Sequence, residues 1–304
     1  MWYTEVMNTP DCAFERLTEG NVLSLQPYFQ SYAYGICDNT IGAVYQWRDI
    51  YATYFAVAGG YLCIRYGGGQ DCYTVPIGEG DIDTAFRRIE CDAGKRNLPV
   101  RFCVVPQEAI PVLRNRYGGR LRIESMRDWA DYVYDADAFR TYAGKHLHTQ
   151  KNHVNRFYRE HPDAETRLVL DSGTESSVYA FLDCFKEEHP ELTELEKNEL
   201  NGARELLKNR ERLGQTAACL VADGRVVGLS IGEVKYGTLY VHVEKALKEV
   251  SGSYPAMAQA FVRLFPDVHT VNREDDGGDD GLRYSKLQYK PRALIEKYLV
   301  KISD

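Results

Sequence analysis

The spacing of apolar residues in the first half of the chain predicts a mixed α/β fold. The glycine pair Gly59-Gly60 divides residues 53–68 into two stretches rich in β-forming residues, which is typical of a hairpin. Residues 80–96 carry apolar side chains at helical spacing, from Ile82 to Ile89. The other elements predicted in this half are strands at 72–78 and 100–106, a short helix at 107–118 and two extended segments within 120–135.

The second half begins with helical periodicity and then changes to the period of strands. Thr193 and Glu196 have the spacing of a capping box and open a helix that Gly214 closes. Asp223-Gly224 lies between apolar stretches and predicts the first turn of a three-stranded meander. The elements predicted in this half are one helix at 136–162, a strand at 165–171, helices at 176–189 and 193–213, the meander at 216–246, a helix from Tyr254 to Phe265 and a strand at 268–272.

The composition is that of a globular protein with two domains. Of 304 residues, 44% are hydrophobic and 27% are charged, and this length favours two domains of about 150 residues. We place them at 1–135 and 136–304. No apolar stretch approaches the ~20 residues that span a bilayer, and residues 1–17 lack the basic start and apolar core of a secretory signal. We therefore expect a cytoplasmic protein without a transmembrane segment.

The net charge and the spacing of the cysteines argue against duplex DNA binding, a zinc site and a disulfide framework. A net charge of −7 disfavours binding to duplex DNA through the field of the whole surface, although a local basic patch can still contact RNA or phosphate groups. Eight cysteines occur without a C-x-x-C pair, and Cys63, Cys103 and Cys219 lie within strand-like stretches. Small buried thiols explain them. We expect neither a zinc site nor a disulfide framework.

Four segments together resemble a bacterial family related to the catalytic C-terminal domain of phosphatidylglycerol lysyltransferases. They read "CDNTIGAVYQWRDIY", "YAGKHLHTQKNHVNRF", "VEKA" and "NREDDGGDDGLRYSKLQYKP". The resemblance spans residues 35–300. It implies an α/β (α+β) fold with two tandem acyl-CoA N-acyltransferase (GNAT)-like domains, as in the Fem peptidyltransferases, each a mixed, mostly antiparallel sheet flanked by helices. It also implies that the second domain carries the active site.

Candidate catalytic residues follow from the chemistry of acyl transfer in such a fold. Attack by an amine needs a proton acceptor, and Glu244 at the end of the last meander strand can serve, with His242 on the same face of the strand. A cation such as Lys245 can stabilise the oxyanion. The phenol of Tyr289 can protonate the leaving group. A structural ion pair is the alternative interpretation of Glu244.

Two other groups of residues are candidates for binding substrate. Charges of both signs in residues 272–291 suit a polar cleft, and the segment lacks the ligand order of an EF-hand. A mobile acidic surface loop is the alternative interpretation. One side of the helix at 139–160 is cationic and suits phosphate, a tRNA backbone or an anionic lipid, unless it is simply a solvated face. The candidates are Lys145, His148, Lys151, Asn152, Arg273, Glu274, Asp275, Arg283 and Lys286. We expect no metal, because the spacing of His146, His148 and His153 does not bring their rings to one point.

The resemblance places a donor-phosphate site at the start of the helix after the meander. Ser251, Gly252, Ser253 and Tyr254 lie there and can offer backbone N–H groups. The Gln/Arg-x-x-Gly-x-Gly/Ala pattern of acetyl-CoA enzymes is not reproduced, and a plain serine-capped helix is the alternative.

The function implied is transfer of an aminoacyl group from a carrier such as aminoacyl-tRNA to an amine or hydroxyl acceptor, for example a lipid head group or a peptide. No cofactor is certain. Two alternatives stay open at this point: an acyl-CoA-dependent N-acyltransferase, and a non-catalytic module that binds a ligand or RNA through its basic helix.

Overall fold

The computed structural model describes residues 12–30, 34–69 and 71–303. The first eleven residues, on which the predicted lack of a secretory signal partly rests, lie outside the described part. The α-helices are α1 (Gln26–Phe29), α2 (Ile41–Trp47), α3 (Ile82–Lys95), α4 (Ile110–Tyr117), α5 (Ala136–Thr141), α6 (His148–Glu160), α7 (Ser172–Glu188), α8 (Glu194–Lys208), α9 (Ser253–Arg263) and α10 (Asp280–Gln288). Short 3-10 helices lie at Val22–Leu25, Cys37–Asn39, Gln107–Ala109, Gly118–Arg120, Arg127–Trp129 and Lys145–Leu147.

The β-strands form two sheets. They are β1 (Glu15–Arg16), β2 (Thr53–Ala58), β3 (Tyr61–Tyr66), β4 (Cys72–Tyr73), β5 (Ile77–Gly78), β6 (Arg101–Pro106), β7 (Leu121–Ser125), β8 (Asp131–Asp135), β9 (Glu165–Leu168), β10 (Thr216–Ala222), β11 (Arg225–Lys235), β12 (Thr238–Ala246), β13 (Thr270–Asn272), β14 (Ala293–Ile295) and β15 (Lys297–Ile302).

The chain divides into two compact units, and each is built from separate stretches of sequence. The first comprises Met1–Tyr34, Tyr51–Ser125 and Lys297–Asp304, and the second Gly35–Ile50 and Met126–Glu296. The boundary predicted between residues 135 and 136 lies inside the second unit, because β8 pairs there with both β13 and β14. Spacing along the chain did not indicate that α2 belongs to the second unit.

The sheet of the first unit has the order β1-β2-β3-β4-β6-β15-β7, with β5 paired to β3. The predicted hairpin is present, since β2 and β3 pair antiparallel across Gly59-Gly60. The apolar face of α3 packs into a core that also contains Phe102 and Tyr117; Phe86 and Ile89 are buried there, and Ile82 is partly buried. Helical spacing therefore identified the buried face of α3 correctly.

The cysteines correct the prediction that no disulfides form. Cys12 is bonded to Cys91, and Cys72 is bonded to Cys103. These pairs are 79 and 31 residues apart in the sequence, so no local spacing pattern announces them. Among the described cysteines, Cys63 and Cys219 are buried free thiols, as expected.

The sheet of the second unit has the order β14-β8-β13-β12-β11-β10-β9. Strands β10, β11 and β12 form the predicted antiparallel meander. Its turns have the left-handed backbone that such hairpins require, with φ of 50° at Asp223 and 74° at Gly224 in the first turn. Strand β13 pairs parallel with β12, whereas the other pairs in this sheet are antiparallel. The predicted fold class of mixed, mostly antiparallel sheets flanked by helices is confirmed.

The helices of the second unit match the predicted pattern except at three places, one of which is α2, where no helix was predicted. The capping box of Thr193 and Glu196 is present at the start of α8, and the predicted apolar face of α7 is buried. The helix predicted at 136–162 is instead two helices, because the backbone is left-handed at Tyr142 (φ 45°) and Gly144 (φ 93°). The acidic stretch near the end of the chain contains α10, whose first turn Asp279 caps by accepting from the N–H of Leu282 at 2.5 Å.

Candidate active site

Strands β12 and β13 separate after a short parallel ladder, and polar side chains fill the gap. The ladder runs from the pair Thr238 and Thr270 to the pair Tyr240 and Asn272, where β13 ends. Strand β12 continues beside β11, but its register shifts so that His242 has no opposing residue. Such a bulge redirects a side chain and is frequent beside active sites. The candidate site is therefore formed by His242 and the residues after Asn272.

The imidazole of His242 bridges two carboxylates. Its Nδ1 lies 2.7 Å from Oε1 of Glu274 and its Nε2 lies 3.1 Å from Oε1 of Glu233, and the ring is fully buried. Glu233 also accepts from the backbone N–H of Gly42 at 2.8 Å and from Nε2 of Gln215 at 3.0 Å. This network joins β11, β12, the segment after β13 and the start of α2.

The charges in this network are set by burial and by the hydrogen bonds. Burial alone lowers the pKa of His242, but its hydrogen bonds to Glu233 and Glu274 outweigh burial and raise that pKa to about 9. Burial also opposes ionisation of Glu233, yet its bonds to His242, Gly42 and Gln215 hold its pKa below the ordinary value. For Glu274 burial prevails and raises the pKa. At neutral pH the network holds an imidazolium paired with Glu233.

Glu244 and Arg273 form a second, neighbouring pair in the gap. Their side chains make an ion pair and are 12% and 10% exposed. The guanidinium lies 4.6 Å from the ring centre of Tyr289 and 5.5 Å from that of Phe139. Its Nη1 is buried without an acceptor among the described residues. A buried charged donor without a partner is costly, so this atom is suited to a ligand oxygen.

Tyr289 completes the aromatic wall around Arg273. Its ring stacks on Phe139 at 5.3 Å. Burial raises the pKa of Tyr289, so its phenol keeps its proton at any physiological pH. Burial likewise raises the pKa of Tyr254 to about 12. Both phenols therefore remain proton donors.

The three predicted catalytic residues do not all meet. The structure brings Glu244 and Tyr289 to the same guanidinium, whereas the Nζ of Lys245 donates to Glu199 of α8 at 2.8 Å. Strand alternation explains this, because neighbouring residues of β12 point to opposite faces of the sheet. Lys245 lies on the α8 side, away from Arg273.

One carboxylate of the acidic segment after β13, that of Asp276, is neutralised by an arginine of the same segment. The Asp276 side chain is fully buried and accepts from Tyr132 at 2.5 Å and from Arg283 at 2.7 and 2.9 Å. Burial raises the pKa of Asp276, but these hydrogen bonds prevail and lower it to about 2. Arg283 also donates to Asp128 at 2.7 Å. Arg283 was predicted to bind substrate, but two carboxylates of the protein already bind its guanidinium.

Lys286 is buried and supports the same segment. Its ammonium donates to the backbone carbonyls of Arg273, at 2.6 Å, and of Asp275. Burial lowers its pKa. This lysine, predicted to contact substrate, fixes the backbone on both sides of Glu274.

A cluster of possible metal ligands lies next to this lysine. Ligand atoms of Cys37, Asp131 and Asp275 lie within 4.8 Å of one another. Asp131 already accepts from the N–H of Cys37 at 2.7 Å and from the amide of Asn272 at 2.8 Å. The buried carboxylate of Asp131 thus accepts hydrogen bonds from protein donors, as expected of a residue that anchors the end of β13.

The remaining predicted residues lie on α6 and at the start of α9. Lys145, His148, Lys151 and Asn152 are exposed, and Lys145 lies in the 3-10 helix before α6. Gly252 adopts φ of 83° and packs so closely on α6 that an added Cβ would lie 2.5 Å from a backbone oxygen. The hydroxyl of Ser253 donates inward to Leu247 at 2.7 Å. The donor-phosphate site, which also includes Ser251 and Tyr254, stays a prediction that relies on backbone N–H groups.

A separate cavity of about 570 Å³ lies between α7 and strands β9 to β11. It contains none of the predicted site residues. Small residues on α7, such as Gly173 and Ser177, leave this space.

The sequence pattern did not single out three residues of this network, Glu233, Gly42 and Gln215. The available indication was Glu233 itself, an acidic residue in the otherwise apolar strand "GLSIGEV". A buried carboxylate requires partners, and those partners come from distant parts of the chain that spacing cannot connect.

Among the described residues, no helix is long and apolar enough to cross a membrane. Known structures resemble most of the chain. A conserved protein of unknown function from Bacteroides thetaiotaomicron VPI-5482 shares 28% sequence identity with a TM-score of 0.87, covering 95% of this chain and 99% of that chain. L-PGS from Bacillus licheniformis superposes with a TM-score of 0.66 at 16% identity, covering 95% and 93%. FemX superposes with a TM-score of 0.62 at 8% identity, covering 95% and 97%.

An uncharacterized protein from Mycoplasmoides gallisepticum is 25% identical over 178 residues. That match covers 57% of this chain and 56% of the relative, so it spans about half the length of that protein. The likeness to L-PGS and FemX confirms the predicted GNAT-like fold. The family model for the C-terminal part of phosphatidylglycerol lysyltransferases matches residues 29–301, and the chain belongs to this family.

Proposed function

We propose that this protein transfers an aminoacyl group from a carrier to an amine or hydroxyl acceptor, at the gap between β12 and β13. The observation that carries the proposal is the buried Nη1 of Arg273, which has no acceptor among the described residues. A cationic donor in a dry site stabilises the oxyanion that forms when a carbonyl is attacked. Membership of the lysyltransferase family supports the choice of an aminoacyl group.

Each neighbour of Arg273 has a role in this proposal. Glu244 accepts the proton of the attacking amine or hydroxyl as the new bond to the acyl carbon forms. Arg273 holds the acyl oxygen through Nη1 while its Nη2 keeps Glu244 in place. Tyr289 donates its proton to the carrier oxygen as the ester bond breaks, and Glu244 returns a proton to the phenolate. No covalent enzyme intermediate forms.

The proposed donor is an aminoacyl-tRNA and the proposed acceptor a lipid head group or a peptide. The exposed cationic residues of α6, Lys151 among them, suit a phosphate backbone. The inward hydrogen bond of Ser253 removes one hydroxyl from a diphosphate site at α9, so acyl-CoA is the second choice of donor. The transfer assay compares lipid vesicles with peptides as acceptors.

The experiment is transfer of labelled amino acids from a mixture of charged tRNAs to phosphatidylglycerol vesicles or to peptides. We expect a labelled product with one acceptor class, and a loss of about 10²-fold or more in rate for Glu244→Gln. The matched control is Glu249→Gln, because Glu249 is half exposed and its ion pair with Arg225 is a loose one of 3.8 Å.

No product with any tRNA mixture or acceptor would refute the proposal. A rise in melting temperature with acyl-CoA esters, which stabilise only a protein that binds them, would then favour the acyl-CoA alternative. Saturable tRNA binding without turnover would favour a non-catalytic module.

A further inference from the structure

We propose that His242 is the positioning residue of this site: by bridging Glu233 and Glu274 it fixes the backbone that carries Arg273. The inference rests on the proposed function for its effect on transfer, but its structural part stands on the contacts alone. His242 touches neither Glu244 nor the unpartnered nitrogen of Arg273 through any hydrogen bond in the described residues, so it acts through Glu274.

The bridge lies where β12 no longer pairs with the chain. Backbone pairing of β13 with β12 ends at Asn272, while Arg273 and Glu274 keep backbone hydrogen bonds of 3.0 Å to Tyr132 of β8 on the other side, so on the β12 side the next residues depend on side chains for their position. The bulge turns His242 into this gap. Its two ring nitrogens then connect β11, through Glu233, with the segment after β13, through Glu274.

Glu274 transmits this connection to Arg273, its direct neighbour. Glu274 has a left-handed backbone with φ of 58°, which costs free energy in a residue other than glycine. Its N–H donates to Oδ1 of Asn272 at 2.8 Å, and its carbonyl accepts from the N–H of Tyr132 at 3.0 Å. The bond from His242 is the contact that holds its side chain. Releasing it allows the strained residue to relax and Arg273 to move.

Gly42 of α2 leaves space for the imidazole of His242 because it has no Cβ. A Cβ at Gly42 would lie 2.5 Å from the ring of His242 and 2.7 Å from Oε1 of Gln215. The N–H of Gly42 also donates to Glu233. The α2 segment therefore encloses the bridge and excludes water from it.

The charged groups that face the bridge favour an imidazolium. Glu233 faces Nε2 from β11 and Glu274 faces Nδ1 from the segment after β13. Beyond them, Lys235 interacts with Glu233, while Lys286 and Asp131 interact with Glu274. Helix α2 and Gln215 contribute uncharged donors. The net effect raises the pKa of His242 to about 9, so the bridge is charged at neutral pH and loses its proton above that value.

The first test reads the imidazole without any assay of activity. NMR spectra of protein labelled with ¹⁵N-histidine are recorded from pH 6 to 10, and the His242 signals are assigned by their absence in His242→Gln. We expect both ring nitrogens to carry protons at pH 7 and to titrate near pH 9. A neutral ring at pH 7 overturns the proposal.

The second test reads the position of Arg273. In ¹⁵N-arginine spectra the buried Nε–H of Arg273 is expected to shift or broaden in His242→Gln and to stay unchanged in His269→Gln, because His269 is exposed. Should His242→Gln fail to fold, Glu274→Met replaces it, since that variant keeps the length of the side chain but removes the oxygen that pairs with Nδ1. An unchanged Arg273 signal in the bridge variant overturns the proposal.

The third test separates this proposal from the proposed function. In the transfer assay His242→Gln is expected to lower kcat by about 10²-fold with little change in KM, as for a misplaced catalytic group, and wild-type kcat is expected to fall above pH 9. Wild-type rates in His242→Gln at every pH overturn the positioning role. Positive NMR results without any transfer support the bridge and refute the transferase.

Discussion

A single methyl group at Gly42 tests the packing of the His242 bridge. In Gly42→Ala the new Cβ would lie 2.5 Å from two atoms of the imidazole and 2.7 Å from Oε1 of Gln215. Neither neighbour moves freely. His242 is held by two carboxylates, and the Gln215 amide donates both to Glu233 and to the carbonyl of Leu213.

Two effects of opposite sign decide the result. Alanine is favoured over glycine in a helix by at most ~1 kcal/mol. Overpacking a rigid, buried position costs about 1 to 3 kcal/mol. We therefore expect Gly42→Ala to lower the free energy of unfolding by about 1 to 2 kcal/mol, because the clash outweighs the helix propensity.

Urea denaturation followed by circular dichroism measures this free energy. Gly94→Ala is the matched control, since Gly94 is an exposed residue of α3 and its Cβ would meet nothing within 4 Å. The control is expected to be as stable as the wild type or slightly more stable. A Gly42→Ala protein as stable as Gly94→Ala would refute the described enclosure of His242.

Three further substitutions test the charges of the second unit. The free energy of unfolding lost in His242→Gln is expected to be about 3 kcal/mol larger at pH 6 than at pH 10. The reason is that a His242 pKa raised from 6.5 to about 9 stabilises the fold below pH 6.5, and this stabilisation disappears as the pH rises through 9. An equal loss at both pH values contradicts this prediction. Asp276→Asn is expected to be less stable than wild type at pH 7, and the difference should shrink as the pH falls through 3.8 towards 2, since the pKa of Asp276 is lowered to about 2; urea denaturation across this range checks it. Lys286→Met leaves two backbone carbonyls without their donor and is expected to cost about 2 to 4 kcal/mol, whereas Lys301→Met, at a half-exposed ammonium, should change the melting temperature little.

Local pattern identified the elements of this protein well. The meander, the α3 and α7 faces and the capping box at Thr193 all follow from spacing of a few residues, and the structure contains them. The prediction of one helix at 136–162 was wrong because two residues with positive φ, Tyr142 and Gly144, interrupt an otherwise helical sequence. Tertiary context decides such a break.

The site was predictable only in part. Glu244 and Arg273 were singled out for their chemistry, and the structure pairs them. The charges at Arg283 and Lys286 were expected to face substrate, but Asp128, Asp276 and backbone carbonyls take them up. Sequence shows which charges exist, whereas only the fold shows which of them neutralise one another.

The transfer rate of an Arg273→Lys variant tests the central claim most directly. Lysine keeps the charge but replaces the rigid, planar fork by one compact ammonium, so it does not hold Glu244 and an acyl oxygen in the geometry of the guanidinium. With charged tRNA and the active acceptor, the account predicts a fall in kcat of about 10² to 10³-fold in a protein that still folds. Transfer at the wild-type rate would contradict the assignment of Arg273 as the group that binds the acyl oxygen.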